Sequence, residues 1–211
     1  VNDSGMSLIL SGGMRDLLPK SQDGSRRRDE LNLVDKLKEQ MPVVTTYEEL
    51  SALKDVDSAA AILDIGMLPR AGQREYSLGD MLKKGLEIVS NNEKGFVVMV
   101  EGSQIDFASH NNDLEWIMEE MLDFDAAVKV ALDFAKKDGK TLVVVTADHE
   151  TGGLTLPNEA TEGLKLNKVS FSTEKHSGEM VPIFAYGPGA EVFGGIQDNT
   201  DVGKKLLELV K

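Results

Sequence analysis

Short apolar runs alternate with segments of helical periodicity along most of this chain. Six runs have the length and composition of strands: residues 7–10, 43–46, 59–64, 96–100, 141–146 and 181–186. Several are rich in β-branched residues and nearly free of polar ones, the pattern of strands buried on both faces. The clearest is Thr141-Leu142-Val143-Val144-Val145-Thr146. Helices with recognisable starts lie between them. Thr46 with Glu49, and Ser77 with Asp80, each set a hydroxyl three residues before a carboxylate, which predicts an N-terminal capping box. Residues 113–137 predict one long helix: Leu114, Ile117, Met118, Met121 and Leu122, then Val128, Ala131, Leu132 and Ala135, recur at spacings of three and four. At 1.5 Å per residue it spans on the order of 35 Å. Lys136 and Lys137 meet the negative end of its dipole, and Gly139 suits a left-handed cap. Its methionines and Trp116 are expected in a core or an interface. Strands alternating with helices predict an α/β fold with a largely parallel sheet.

Composition narrows the function classes. With 211 residues and 41% hydrophobic content the chain can bury a sizeable core, and one domain over residues 1–211 is expected. It has no cysteine, so disulfides and thiolate metal sites are excluded, and a transition metal must be held by His, Asp and Glu. A net charge of -13 argues against a broad nucleic-acid or anionic-membrane surface, which needs basic patches. No apolar stretch approaches the ~20 residues of a membrane span. Val1-Asn2-Asp3-Ser4-Gly5 leads straight into a strand-like run, as expected of a chain that begins in mid-fold. Gly12-Gly13 reads as a tight turn, since neither common glycine-rich phosphate-loop pattern is present. The polar residues 20–28, with Arg26, Arg27 and Arg28, read as an exposed loop, with anion binding as the competing reading.

The candidate chemistry centres on three histidines, the whole complement of the chain. Glu101 stands at the carboxyl end of predicted strand 96–100, where open α/β sheets place their ligands. Asp106 and His110 follow at a spacing that one helical turn places on a single face, a carboxylate and an imidazole suited to zinc. A surface ion pair is the competing reading. Asp148 and His149 stand just past predicted strand 141–146. Adjacent residues can share an ion only where the backbone leaves the pleat, and Thr151-Gly152-Gly153 supplies such a departure. A buried Asp-His pair that holds a loop is the alternative there. His176, in Lys175-His176-Ser177-Gly178-Glu179, reads alone as a surface histidine, but beside the other two it is the natural third ligand of a zinc site that keeps one position open.

These segments, in order, resemble the successive metal-binding motifs of alkaline phosphatases: Val100-Glu101-Gly102-Ser103-Gln104-Ile105-Asp106 with His110, Val145-Thr146-Ala147-Asp148-His149-Glu150-Thr151-Gly152-Gly153, His176-Ser177-Gly178-Glu179, and Ala185-Tyr186-Gly187-Pro188-Gly189-Ala190. Gly12-Gly13 with Arg15 resembles a glycine-rich turn earlier in that family. The resemblance runs along essentially the whole chain and corresponds to roughly the C-terminal half of the family's fold. It implies an incomplete three-layer α/β/α architecture and a phosphomonoester hydrolase that uses two Zn2+ and one Mg2+. By the matched motifs, Asp106, His110 and His176 hold the first zinc, Asp148 and His149 the second, and Glu101 the magnesium. The implied reaction is a two-step transfer in which a serine attacks phosphorus and water then hydrolyses the phosphoserine. Phosphate monoesters and inorganic phosphate are the implied ligands, and the periplasm or the cell exterior the implied location.

The family's nucleophile, in an Asp-Ser-Ala type sequence that opens a helix, and its phosphate-clamping arginine both precede the matched region. Asp3-Ser4-Gly5 is a superficial candidate only, because it precedes a strand. The expectation is therefore a C-terminal fragment with at most trace activity alone, whose exposed strand edges and apolar faces make dimerisation, as a homodimer, or aggregation a hazard. Phe107 departs from the lysine, histidine or tryptophan common at that position, and its ring cannot contact phosphate as the polar versions do. Two alternatives stand beside this reading. One is a stand-alone, catalytically inactive metal-binding domain. The other is a related metallohydrolase such as a phosphodiesterase, a sulfatase or a cofactor-independent phosphoglycerate mutase, against which the run from Asp148 to Gly153 and Tyr186-Gly187-Pro188 weigh.

Overall fold

In the computed structural model residues 5–157, 161–162, 165–166 and 169–210 are described. The chain divides into two compact units, Val1–Val98 and Met99–Lys211. Asp3 and Ser4 lie outside the described residues.

The first unit is built from β1 (Leu8–Ser11), α1 (Leu33–Lys38), β2 (Val43–Val44), α2 (Tyr47–Ala52), β3 (Ala59–Ile62) and α3 (Leu78–Val89). Its strands form a parallel sheet in the order β1-β3-β2, with Leu8 opposite Ala59 and Val43 opposite Ala60. Successive side chains of a strand point to opposite faces, and the central strand shows the consequence. Ala59 and Ala61 pack with Leu50 of α2 and Ile88 of α3, whereas Ala60 packs with Leu37 of α1 and Met41. Helices therefore cover both faces of this sheet, and α/β is the fold class of the chain. All three alanines are fully buried, and their small size lets the helices approach closely.

Both predicted capping boxes form. Glu49 N–H donates to Thr46 Oγ1 at 3.1 Å, and Asp80 N–H donates to Ser77 Oγ at 2.9 Å, each with the reciprocal bond. The first box also explains why predicted strand 43–46 shrinks to two residues. The N–H groups of Thr45 and Thr46 donate to Glu49 Oε2 at 2.8 and 3.2 Å and are thereby lost to the sheet. Gly12-Gly13 forms the expected turn: Gly13, at φ 92°, donates its N–H to the Gly66 carbonyl at 2.5 Å. In the loop of residues 20–28, Arg27 is bidentate on Asp29 at 2.9 and 2.7 Å, so an internal carboxylate takes its charge.

The second unit contains α4 (Ser103–His110), α5 (Leu114–Asp138), β4 (Val143–Val145), β5 (Glu150–Thr151), β6 (Thr161–Glu162), β7 (Lys165–Leu166), β8 (His176–Ser177), β9 (Phe184–Tyr186) and α6 (Asn199–Leu209). The long helix starts and stops where its sequence predicts. Asp113 caps it by accepting from Trp116 N–H at 3.1 Å, and Gly139, at φ 71°, closes it with an N–H bond to Ala135. Trp116 Nε1–H donates to the buried Glu120 at 3.2 Å.

Two strand expectations change. Residues 96–100 join no ladder among the described residues, although their side chains alternate, with Val97 and Met99 76% and 86% exposed. Apolar, β-branched composition favours an extended chain, but a strand also needs a neighbour for its backbone groups. Of predicted strand 181–186 only β9 forms, and it pairs antiparallel with β4, Val144 opposite Ala185. Parallel pairing is thus confined to the first unit among the described residues, and β5 with β8 and β6 with β7 are antiparallel pairs. No helix among the described residues is long and apolar enough to cross a membrane.

Candidate functional site

Helix α4 presents Asp106 and His110 on one face, one turn apart. His110 Nε2 lies 3.4 Å from Asp106 Oδ2. Sixty-six residues further on, β8 brings in His176, whose Nε2 lies 3.2 Å from His110 Nε2 and 3.6 Å from Asp106 Oδ1. The donor atoms of these three residues all fall within 4.8 Å of one another, and all three side chains remain partly open to solvent.

Hydrogen bonding decides what His110 offers. Its Nδ1–H donates to the Glu174 carbonyl at 2.6 Å, so in the neutral ring Nε2 carries the lone pair and faces the cluster. Two imidazoles and a carboxylate converging in this way repel unless a proton or a cation sits among them. Four ligands set tetrahedrally at zinc bond lengths lie about 3.3 Å from each other, close to the separations found here. The donor set and its spacing therefore fit a zinc-sized cation with one position open.

Asp148 sits at a bend between β4 and β5, so the backbone leaves the pleat ahead of His149 and earlier than the expected departure at Thr151-Gly152-Gly153. His149 Nε2 lies 3.3 Å from Asp148 Oδ2, and Asp148 itself is 88% exposed. The His149 ring stacks on His176 with centroids 3.5 Å apart, which sets this pair beside the first cluster. Glu101 lies exposed just ahead of α4 and is not part of the three-donor cluster.

A two-residue ladder holds the arms together. Thr151 of β5 is paired with His176 of β8, and Glu150 with Ser177. Glu150 acts as the clasp: it accepts from Ser177 Oγ, from Gly153 N–H at 3.1 Å and from Leu154 N–H at 3.2 Å. Burial raises the Glu150 carboxyl, but these donors, with His149 close by, outweigh it and hold the group below the usual carboxylate range. Gly152, at φ 95°, turns the chain back over the site, and a Cβ there would meet Phe171 at 3.1 Å and the Ser109 carbonyl at 3.2 Å.

Sequence reasoning missed Glu150, Thr151, Glu174 and Ser177 as supports of this site. The one signal available for Thr151 was its place two residues after His149, which puts both side chains on one side of an extended backbone.

A family model for alkaline phosphatase matches residues 1–168 and 159–211. Alkaline phosphatase 4 of Bacillus subtilis is 31% identical over 237 aligned positions, which take in 80% of this chain and 51% of that protein. The alkaline phosphatase of Escherichia coli is 36% identical over 149 positions, 64% of this chain and 32% of that protein. Among solved structures, the alkaline phosphatase of the Antarctic bacterium TAB5 superposes with a TM-score of 0.85 at 33% identity, over 97% of this chain and 60% of that one. A variant of that enzyme solved with Mg bound superposes with a TM-score of 0.81 at 32% identity, over 97% of this chain and 60% of that one. The chain spans about half the length of the Bacillus relative and about a third of the Escherichia coli one. A family model whose two matches together span residues 1–211 and a fold shared with solved alkaline phosphatases lead to one conclusion: this chain belongs to the alkaline phosphatase family.

Proposed function

We propose that this chain is the metal-binding portion of a phosphomonoester hydrolase of the alkaline phosphatase type. Asp106, His110 and His176 would hold a first zinc ion, Asp148 and His149 would contribute to a second, and Glu101 would serve magnesium. The observation that carries this reading is the convergence of Asp106, His110 and His176 at separations of 3.2 to 3.6 Å, with His110 Nδ1–H committed to the Glu174 carbonyl. Zinc held there supplies Lewis acidity toward phosphoryl oxygens and lowers the pKa of water toward about 7.

The protein's part is orientation. The Glu174 carbonyl aims His110, the β5–β8 ladder sets the height of His176, and the helical turn from Asp106 to His110 fixes their spacing. At a net charge of -13 the chain's own field repels a phosphate monoester, so attraction of the substrate or of inorganic phosphate depends on bound cations. Phe107, half-exposed beside Asp106, offers a ring and no hydrogen bond. In this reading the serine nucleophile and the phosphate-clamping arginine are not among the motifs of residues 1–211. The exposed Val97, Met99 and Phe184 suit contact with the remainder of such a fold or with a second copy in a homodimer. Membership of the family supports a periplasmic or secreted location.

The test is the metal content of the purified chain after equilibration with dilute zinc and dialysis, read beside turnover of p-nitrophenyl phosphate. About one zinc per chain is expected, lost in His176→Ala, because a site of three protein ligands does not survive with two. Turnover is expected at trace level. A chain that retains no zinc would overturn the metal assignment, and turnover like that of an ordinary phosphatase would overturn the view that the nucleophile lies elsewhere.

A further inference from the structure

One buried hydroxyl stands between the two candidate metal sites. Thr151 is 8% exposed, and its Oγ1 lies 2.6 Å from Asp106 Oδ1 and 3.1 Å from His149 Nδ1. A hydroxyl has a single proton to give, and an ionised carboxylate has none. The proton therefore goes to Asp106, and the same oxygen must accept from His149. That requires a proton on His149 Nδ1, which in the neutral ring leaves Nε2 as the bare nitrogen, turned toward Asp148 Oδ2 at 3.3 Å. His110 reaches the same state by a different partner, the Glu174 carbonyl.

We infer that Thr151 is a positioning residue that links the two metal sites through a chain of directed hydrogen bonds from His149 through Thr151 to Asp106. At one end it selects the tautomer that His149 presents. At the other it engages Asp106 Oδ1 and so leaves Oδ2 for the His110 side. The ladder contact of Thr151 with His176 keeps the hydroxyl between both sites. The inference rests on the zinc reading above for its purpose, but its hydrogen-bond logic is independent of any ion.

The chain's three histidines make a direct test practical. Two-bond proton–nitrogen correlation spectra of the metal-free protein, taken where the rings are neutral, report the tautomer of each. His149 is expected as the Nδ1–H form in the wild type and in Thr151→Ser, and as a mixture or the Nε2–H form in Thr151→Val. Zinc affinity, measured by competition with a chromophoric chelator, is expected to fall by about 10- to 100-fold in Thr151→Val, the usual cost of losing such a supporting hydrogen bond, and to recover in Thr151→Ser. Where the valine variant does not fold, Thr151→Ala carries the same expectation. An Nδ1–H His149 together with unchanged zinc affinity in the variant without a hydroxyl would overturn the role of Thr151 and leave the zinc reading intact. A wild type that binds no zinc would overturn the zinc reading, while the tautomer spectra would still decide for or against Thr151. Loss of the Nδ1–H form in Thr151→Ser would also count against it.

Discussion

A Cβ placed on Gly12 would lie 2.3 Å from the Gly66 carbonyl oxygen, which is backbone and cannot swing aside. Gly12→Ala is therefore expected to destabilise the chain by about 2 to 4 kcal/mol through overpacking. Gly203 provides the control, since it lies inside α6 with nothing within 4 Å of its added Cβ. Gly203→Ala is expected to stabilise by up to about 1 kcal/mol, because glycine is the weaker helix former. Urea denaturation of the two variants checks both signs, and a neutral Gly12→Ala would show that the turn can open without cost. At this scale the sequence is informative about residue types and less so about partners. Asp106 and His110 were legible together because four residues make one helical turn. His176 was legible as an imidazole in need of company, but the 3.2 Å approach to His110 depends on the β5–β8 pairing, which two-residue strands do not announce. Thr151 and Glu174 act through a hydroxyl and a backbone carbonyl, groups that every chain carries in abundance.

Among the elements, those closed by local chemistry follow the sequence best. The box at the head of α3 is local: Asp80 is held below the usual carboxylate range chiefly by the Ser77 N–H and then by the Ser77 hydroxyl. A carboxyl whose folded-state pKa is depressed contributes stability that is complete above its unfolded value, near 3.8, and is lost as pH falls through the folded value. Asp80→Asn should thus cost stability at pH 7 and progressively less once the pH falls below about 4, where the unfolded chain begins to take up the proton that the folded carboxyl still refuses. Ser77→Ala should cost about 1 kcal/mol at neutral pH. Urea titrations at pH 7 and pH 3 read both, and an Asp80→Asn deficit as large at pH 3 as at pH 7 would refute the ionic account of this cap. Residues 96–100 show the opposite case. Their composition predicts a strand, but a ladder depends on a neighbour that no local pattern specifies, and none of the described strands takes that place.

At the scale of the whole molecule, charge and site placement lead to a single thermal experiment. Every residue of the three-donor cluster lies in the unit Met99–Lys211, and so does Trp116, the only tryptophan in the chain. Fluorescence of that residue reports the unit that the metal would stabilise. The cluster draws its donors from α4 and from β8, more than sixty residues apart in sequence, so an ion held there closes a long loop and is bound only when both arms are folded. Free zinc at 100 times its dissociation constant should stabilise that unit by about 2.7 kcal/mol, which for a body of this size raises the melting midpoint by on the order of 10 °C. EDTA should abolish the rise, and His176→Ala should melt at the same temperature with zinc as without it. Equal midpoints for the wild type in zinc and in EDTA would mean that the converging side chains do not bind the ion strongly enough to matter. A rise that persists in His176→Ala would place the stabilising ion elsewhere, on the many carboxylates that give the chain its charge of -13.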